Sequence, residues 1–130
     1  KPNNHEACGA VGVEVDGEPT RERSAQAGEM LYERNRRPVY VTLGADGIML
    51  FDGAGATHLP GVRVEGEIDI VGAGDSVTAG IVSALCAGAT HVEAGLIGNL
   101  VASITIQQIG ATGVASREQV LGRHAEVSQT

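Results

Sequence analysis

Asp75 stands directly behind Gly72, Ala73 and Gly74 and ahead of Val77, Ile81, Val82 and Leu85, whose i, i+4, i+5 and i+8 spacing is that of a helix. Small residues at the head of a helix let consecutive backbone N–H groups point the same way. With the helix dipole, those groups can bind a phosphoryl oxygen. A carboxylate beside such an anion hole repels the anion. The conflict disappears if Asp75 takes a proton from a substrate hydroxyl while the hole neutralises charge on a phosphoryl group in transfer. The plainer alternative is a strand-to-helix turn in which the glycines make the bend and Asp75 caps the helix.

The elements that would carry this stretch follow from the pattern along the chain. Residues 6–10 read as a short helix capped by Asn3 or Asn4, and Thr20 as the cap of a second helix through residue 36, with Ala27, Met30, Leu31 and Arg34 at helical spacing and Pro38 ending it. The β-branched residues 39–43 and the apolar residues 47–51, separated by a Gly-containing turn, predict a hairpin. After a further turn, residues 57–71 predict one or two more short strands. The helix from Asp75 stops at Gly88. Thr90 and Glu93 form a capping-box signature opening a long helix to about Gln108, in which Gly95 and Gly98 allow close packing; Ser116 and Gln119 cap a last short helix. Helices alternating with strands argue for an α/β sheet with helices on its faces, where ligands sit beyond the carboxyl ends of strands. Three stretches fall at such places: residues 2–6, 42–47 and 72–75.

Composition narrows the chemistry. The 130 residues, 42% hydrophobic, make one domain or part of one. Nine basic against 16 acidic side chains give 9 − 16 = −7, which argues against nucleic acid or an anionic membrane as partner. Cys8 and Cys86 are too few for a disulfide framework and read as reduced thiols of a cytoplasmic protein. Gly, Ser, Thr or Asn break every apolar run before membrane-spanning length, and no targeting signal is visible. His5, His58, His91 and His124 lack metal-ligand spacing. The chain opens without Met, which predicts a piece of something longer.

In this setting "DIVGAGDSVTAG", residues 69–80, resembles the C-terminal signature of the ribokinase-like (PfkB) carbohydrate kinases, D-T-x-G-A-G-D-x-F-x-x-G. "KPNNHE" is similar to that family's K-P-N-x-x-E segment and "VTLGADG" to its T-x-G-x-x-G nucleotide loop, all in family order. "NLVASITIQQIGATG" resembles the helix and loop that close the adenine site. Taken singly, residues 42–47 would pass for a hairpin turn, Glu6 for an exposed carboxylate in a first helical turn, and Asn99 for a polar residue satisfying a helix neighbour. Their conjunction carries the weight.

The resemblance implies a ribokinase-like fold, with residues 1–130 as the C-terminal nucleotide-binding and catalytic half of a doubly wound sheet, and the N-terminal sugar-binding and lid half absent. It implies transfer of the γ-phosphoryl group of ATP, with Mg2+, to a hydroxyl of a sugar or sugar phosphate. Asp75 would be the general base and Gly72, Ala73 and Gly74 the anion hole. Thr42, Gly44 and Gly47 would line the nucleotide phosphates, and Asn99 would flank the adenine. Asn3 and Glu6 would match the segment that organises Mg2+ and phosphate through water. Asp69, the Val71 carbonyl and Gly110 correspond to a monovalent-cation (K+) site of some members. Two departures stand out: Ile70 replaces the usual Thr, which bears on cation activation, and Val77 replaces the usual Phe, which bears on packing under the helix. The tail and the "FDGAGATHLPG" hairpin lean toward kinases of the heptose-phosphate type.

The competing class is a non-catalytic nucleotide-binding or assembly module of the same fold, which gains nothing from a base at Asp75. A half-sheet would also expose a strand edge and apolar surface, so a homo-dimer is among the expected partners, and the isolated chain is expected to be inactive.

Overall fold

In the computed structural model, which describes residues 1–130, the chain runs α1 (Asn4–Val11), α2 (Arg21–Asn35), β1 (Val39–Thr42), a 3-10 turn (Gly44–Asp46), β2 (Ile48–Asp52), β3 (Gly55–Leu59), α3 (Ala73–Cys86), α4 (His91–Thr105) and α5 (Arg117–Ser128). Four helices begin where a short polar side chain can accept one of their free N–H groups: Asn3 for α1, Thr20 for α2, Thr90 for α4 and Ser116 for α5. In α1, α4 and α5 the third helical residue (Glu6, Glu93, Gln119) reaches back to the cap's own N–H and completes a capping box. The sequence signals for α2, α4 and α5 hold at these starts, and Asn3 rather than Asn4 is the cap of α1.

Two units, Lys1–Pro60 and Gly61–Thr130, each have their own core. In the first, β1, β2 and β3 lie in that order as an antiparallel sheet, with Val41 opposite Met49 and Leu50 opposite Thr57. The two-residue period puts Val39, Val41, Met49 and Phe51 on one face, where they pack with Ala7, Cys8 and Ala27 of α1 and α2. Gly28 meets the Phe51 ring so closely that any side chain there would overlap it. The expected hairpin of β1 and β2 is present.

In the second unit α3 packs along α4, and a Cβ on Gly98 would stand 3.0 Å from Ile81 Cγ1. Glycine at 98 therefore permits the close packing its position in the helix predicted. Val77, Ile81, Ala94, Leu100 and Ile104 are buried around this contact. Arg123 of α5 donates to the Ser103 carbonyl at 3.4 Å and to Gln107 Oε1 at 2.6 Å, fastening α5 to the end of α4.

The α/β architecture is as expected, with five helices and a small sheet. Parallel pairing in it is confined to one bridge, Asn3 with Thr42, closed by the Thr42 N–H on the Pro2 carbonyl at 3.0 Å. Residues 57–71 supply only the end of a single strand, β3, which begins at Gly55 within the stretch expected as a turn. Beyond Leu59 come Pro60, which has no N–H for a ladder, and Gly66 at φ 86°. Ile68 and Ile70 beyond them are 50% and 71% exposed. Helix α4 stops three residues short of Gln108, its end tightened by i to i+3 bonds from Gln107 to Ile104 and from Gln108 to Thr105. No helix is long and apolar enough to cross a membrane.

Candidate active site

Helix α3 alone among the five is headed by a residue with no side chain to cap it. Gly72 is the cap residue, at φ 80° and ψ 0°, a left-handed conformation that favours glycine. The Ala73 N–H closes a turn onto the Ile70 carbonyl at 3.1 Å, and the helical ladder starts with the Ser76 N–H on the Gly72 carbonyl at 3.0 Å. The N–H groups of Gly74 and Asp75 have no partner within the protein. Asp75, the third residue of the helix, is exposed, and its carboxylate takes no hydrogen bond or ion pair. The cap position thus belongs to Gly72, and the Asp75 side chain is not used in capping.

The segment before α3 is held by Asp69. Its Oδ1 accepts the Val71 N–H at 3.0 Å, its Oδ2 accepts the Gly110 N–H at 2.9 Å, and its own N–H donates to the Ile106 carbonyl at 2.7 Å. The hydrogen bond from Val71, followed by that from Gly110, holds the Asp69 carboxyl below the usual carboxylate range. Asp69, Val71 and Gly110, grouped by the resemblance around a cation, are thereby brought together. Thr112 is a neighbour that the sequence did not single out: a Cβ on Gly72 would meet its methyl at 3.3 Å. Only the glycines at 110 and 113 hint that the chain doubles back there.

In the first unit, Asn3 and Glu6 are bound to one another. Asn3 Oδ1 accepts the Glu6 N–H at 2.8 Å and Glu6 Oε2 accepts the Asn3 N–H at 2.8 Å. Thr42 ends β1 beside Asn3, and Gly44 and Gly47 carry the following turn at φ 58° and φ 92°. The turn is closed by the Leu43 N–H on Gly47 and the Gly47 N–H on Gly44, while the N–H groups of Gly44 and Ala45 have no partner within the protein. Asn99 is buried in α4 at 6% exposure.

These arrangements suit an anion. Amides freed of intrahelical partners at a helix head, and a second pair in a glycine turn at a strand end, are the donors that phosphate oxygens take. No three His, Cys, Asp or Glu side chains gather to hold a metal. Glu6, oriented by the Asn3 N–H on its Oε2, offers hard carboxylate oxygens, the donor type that Mg2+ takes together with several waters and substrate phosphates.

Residues 1–118 match the sequence pattern of the pfkB family carbohydrate kinases. The chain is similar to the bifunctional protein HldE of Caulobacter sp. strain K31, 33% identical over 97% of this chain and 26% of the relative. It is 35% identical to the 1-phosphofructokinase of Haloferax volcanii, over 100% of this chain and 41% of that one. Among solved structures it is similar to Arabidopsis thaliana ribokinase complexed with ribose and ATP. The TM-score there is 0.78 and the identity 27%, covering 94% of this chain and 39% of that one. The chain spans between a quarter and two fifths of the length of these relatives.

Proposed function

The chain belongs to the pfkB family of carbohydrate kinases, and on that premise we propose that it is the nucleotide-binding and catalytic portion of an ATP-dependent kinase acting on a hydroxyl of a sugar or sugar phosphate. The observation that carries this reading is the uncapped head of α3, where free amides and an unpartnered carboxylate lie within consecutive residues. Asp75 accepts the proton of the acceptor hydroxyl as the hydroxyl oxygen bonds the γ-phosphorus and the bridging oxygen departs with ADP. The Gly74 and Asp75 amides, presented by the turn through Gly72 and Ala73, receive the charge that develops on the phosphoryl oxygens.

Thr42, Gly44 and Gly47 bind the nucleotide phosphates in this reading, and Asn99 flanks the adenine. Glu6, steered by Asn3, holds Mg2+ through water, and Mg2+ when bound supplies neutralisation of the phosphate charge. Asp69, the Val71 carbonyl and Gly110 take a monovalent cation such as K+, whose role would be to steady the loop before α3. The match to a 1-phosphofructokinase supports a phosphorylated sugar as acceptor, in keeping with the heptose-phosphate lean of the tail. The free thiols of Cys8 and Cys86 support a cytoplasmic setting, and the exposed Ile68, Ile70 and Val71 support association with a second copy.

The test is Asp75→Asn in the complete kinase. With Asp75 as base, kcat falls by about 10²-fold or more while nucleotide affinity changes little. Equal turnover in variant and parent removes Asp75 from the mechanism. Calorimetry with Mg-ATP and an ADP-release assay on the 130-residue chain should give weak binding and no useful turnover; robust turnover would place the acceptor site within these residues.

A further inference from the structure

Gln108 turns its carboxamide onto the backbone of Val114, six residues on. Its Nε2 donates to the Val114 carbonyl at 2.7 Å, and its Oε1 accepts the Val114 N–H at 3.0 Å. A primary amide carries donor and acceptor side by side, so it pairs with a residue's backbone at both points as a neighbouring strand would. The same Nε2 lies 3.5 Å from the Ile104 carbonyl in the last turn of α4, which ties the clasp to the helix. Gly113, inside the clasp, lies against Thr105 so closely that a Cβ would overlap its backbone.

The loop closed in this way is the one that touches the head of α3 from outside. Gly110 gives its N–H to Asp69, whose other oxygen fixes Val71, and Thr112 lays its methyl against Gly72. Without the clasp, a seven-residue loop with glycines at 110 and 113 has many conformations, and few of them present Gly110 and Thr112 together.

We propose that Gln108 is a positioning residue of the phosphoryl site: by clasping Val114 it holds Gly110 on Asp69 and Thr112 on Gly72, and so sets the head of α3 before substrate arrives. This inference rests on the reading of that helix head as the phosphoryl site. Gln108 contacts none of the reacting groups. Its effect is on preorganisation, which decides what fixed donors are worth in a transition state.

The experiment compares Gln108→Met, which keeps length and loses both hydrogen bonds, with Gln108→Glu, which keeps the acceptor and sets a negative charge against the Val114 carbonyl, both in the complete kinase. Each is expected to lower kcat about 10-fold, within the range a small misplacement causes, with KM for ATP and acceptor changed less than about 2-fold. Amide exchange at Gly110 should quicken by about 10-fold in both variants, a readout independent of turnover. Because Gln108 and Asp69 both act through Gly110, Asp69→Asn combined with Gln108→Met should have a kcat no lower than the worse single variant. Unchanged Gly110 exchange, or a double variant whose loss is the product of the two singles, overturns the proposal. If Asp75→Asn is strongly impaired while both Gln108 variants turn over as the parent does, the site reading stands and the role of Gln108 falls. If Asp75→Asn is as active as the parent, the site reading falls and takes this inference with it.

Discussion

Glu93 and Asp75 are each the third residue of a helix, four residues into a stretch headed by a small cap residue, Thr90 in one case and Gly72 in the other. Glu93 bends back to accept the Thr90 N–H at 2.7 Å while Thr90 Oγ1 accepts the Glu93 N–H at 3.2 Å, so that helix head is closed by its own side chains. At Asp75 neither half of the exchange is made: the cap residue has no hydroxyl, and the carboxylate accepts nothing. Four helices of the chain spend polar side chains on their first turn, and one leaves its amides and its acid without a partner in the protein. A capped head adds stability and is chemically finished. One headed by glycine forgoes only about a few tenths of a kcal/mol and leaves its first donors open to a ligand.

The contrast breaks most visibly in turnover. Asp75→Asn is expected to lower kcat of the complete kinase by about 10²-fold, whereas Glu93→Gln should leave it within about 2-fold; steady-state kinetics on both variants checks this, and similar losses in the two would erase the distinction. A smaller effect concerns the support of α3. Gly98→Ala puts a Cβ 3.0 Å from Ile81 and should cost about 1–3 kcal/mol by overpacking, read as a lowered denaturation midpoint. Thr90→Ala then removes one closed head at a cost of about 1 kcal/mol, with activity per folded molecule retained. A thermal melt showing no change would mean that the Thr90 box contributes nothing.

The smallest effect is in pH. The Thr90 N–H, then the Thr90 hydroxyl, holds Glu93 below its ordinary value of 4.5. A carboxyl whose pKa is lower folded than unfolded stabilises the protein above its unfolded pKa, and that contribution is lost as pH falls through the folded value. Acid titration of stability should therefore show a decline beginning near pH 4.5 and continuing below it, and Glu93→Gln should flatten part of that decline. An acid limb identical in variant and parent would detach Glu93 from it.

What the sequence reveals and what it hides divides along the same lines. Thr20, Thr90 and Ser116 announce their helices because a cap bonds only to N–H groups two or three residues away, and that chemistry is complete in the local string. The start of α3 at Ala73 rather than Asp75 is harder to read, since it depends on Gly72 adopting a left-handed turn that many glycines decline. The sheet is least legible. Residues 57–71 have strand-like composition, but a strand exists only where a partner lies alongside, and beyond Leu59 this chain provides none. The residues of the proposed site fall in between. Gly72, Gly74 and Asp75 stand out by type and spacing, whereas Thr112 and Gln108 are brought to α3 by a loop that folds back, which no local spacing encodes.

Gly80 and Gly98 meet where α3 crosses α4, with the would-be Cβ of Gly80 only 3.3 Å from the Gly98 Cα. At that crossing each glycine is a notch filled from the opposite helix: Val101 seats its methyl against Gly80, and Ile81 and Val77 seat theirs against Gly98. β-Branched knobs in such notches have few rotamers to exchange, so the crossing behaves like a bearing with little play. Asp75 sits little more than a turn from that bearing, so the aim of its carboxylate inherits the stiffness of the helix pair. Within this unit the freer parts are then the loops flanking the pair, since the crossing holds α3 against α4.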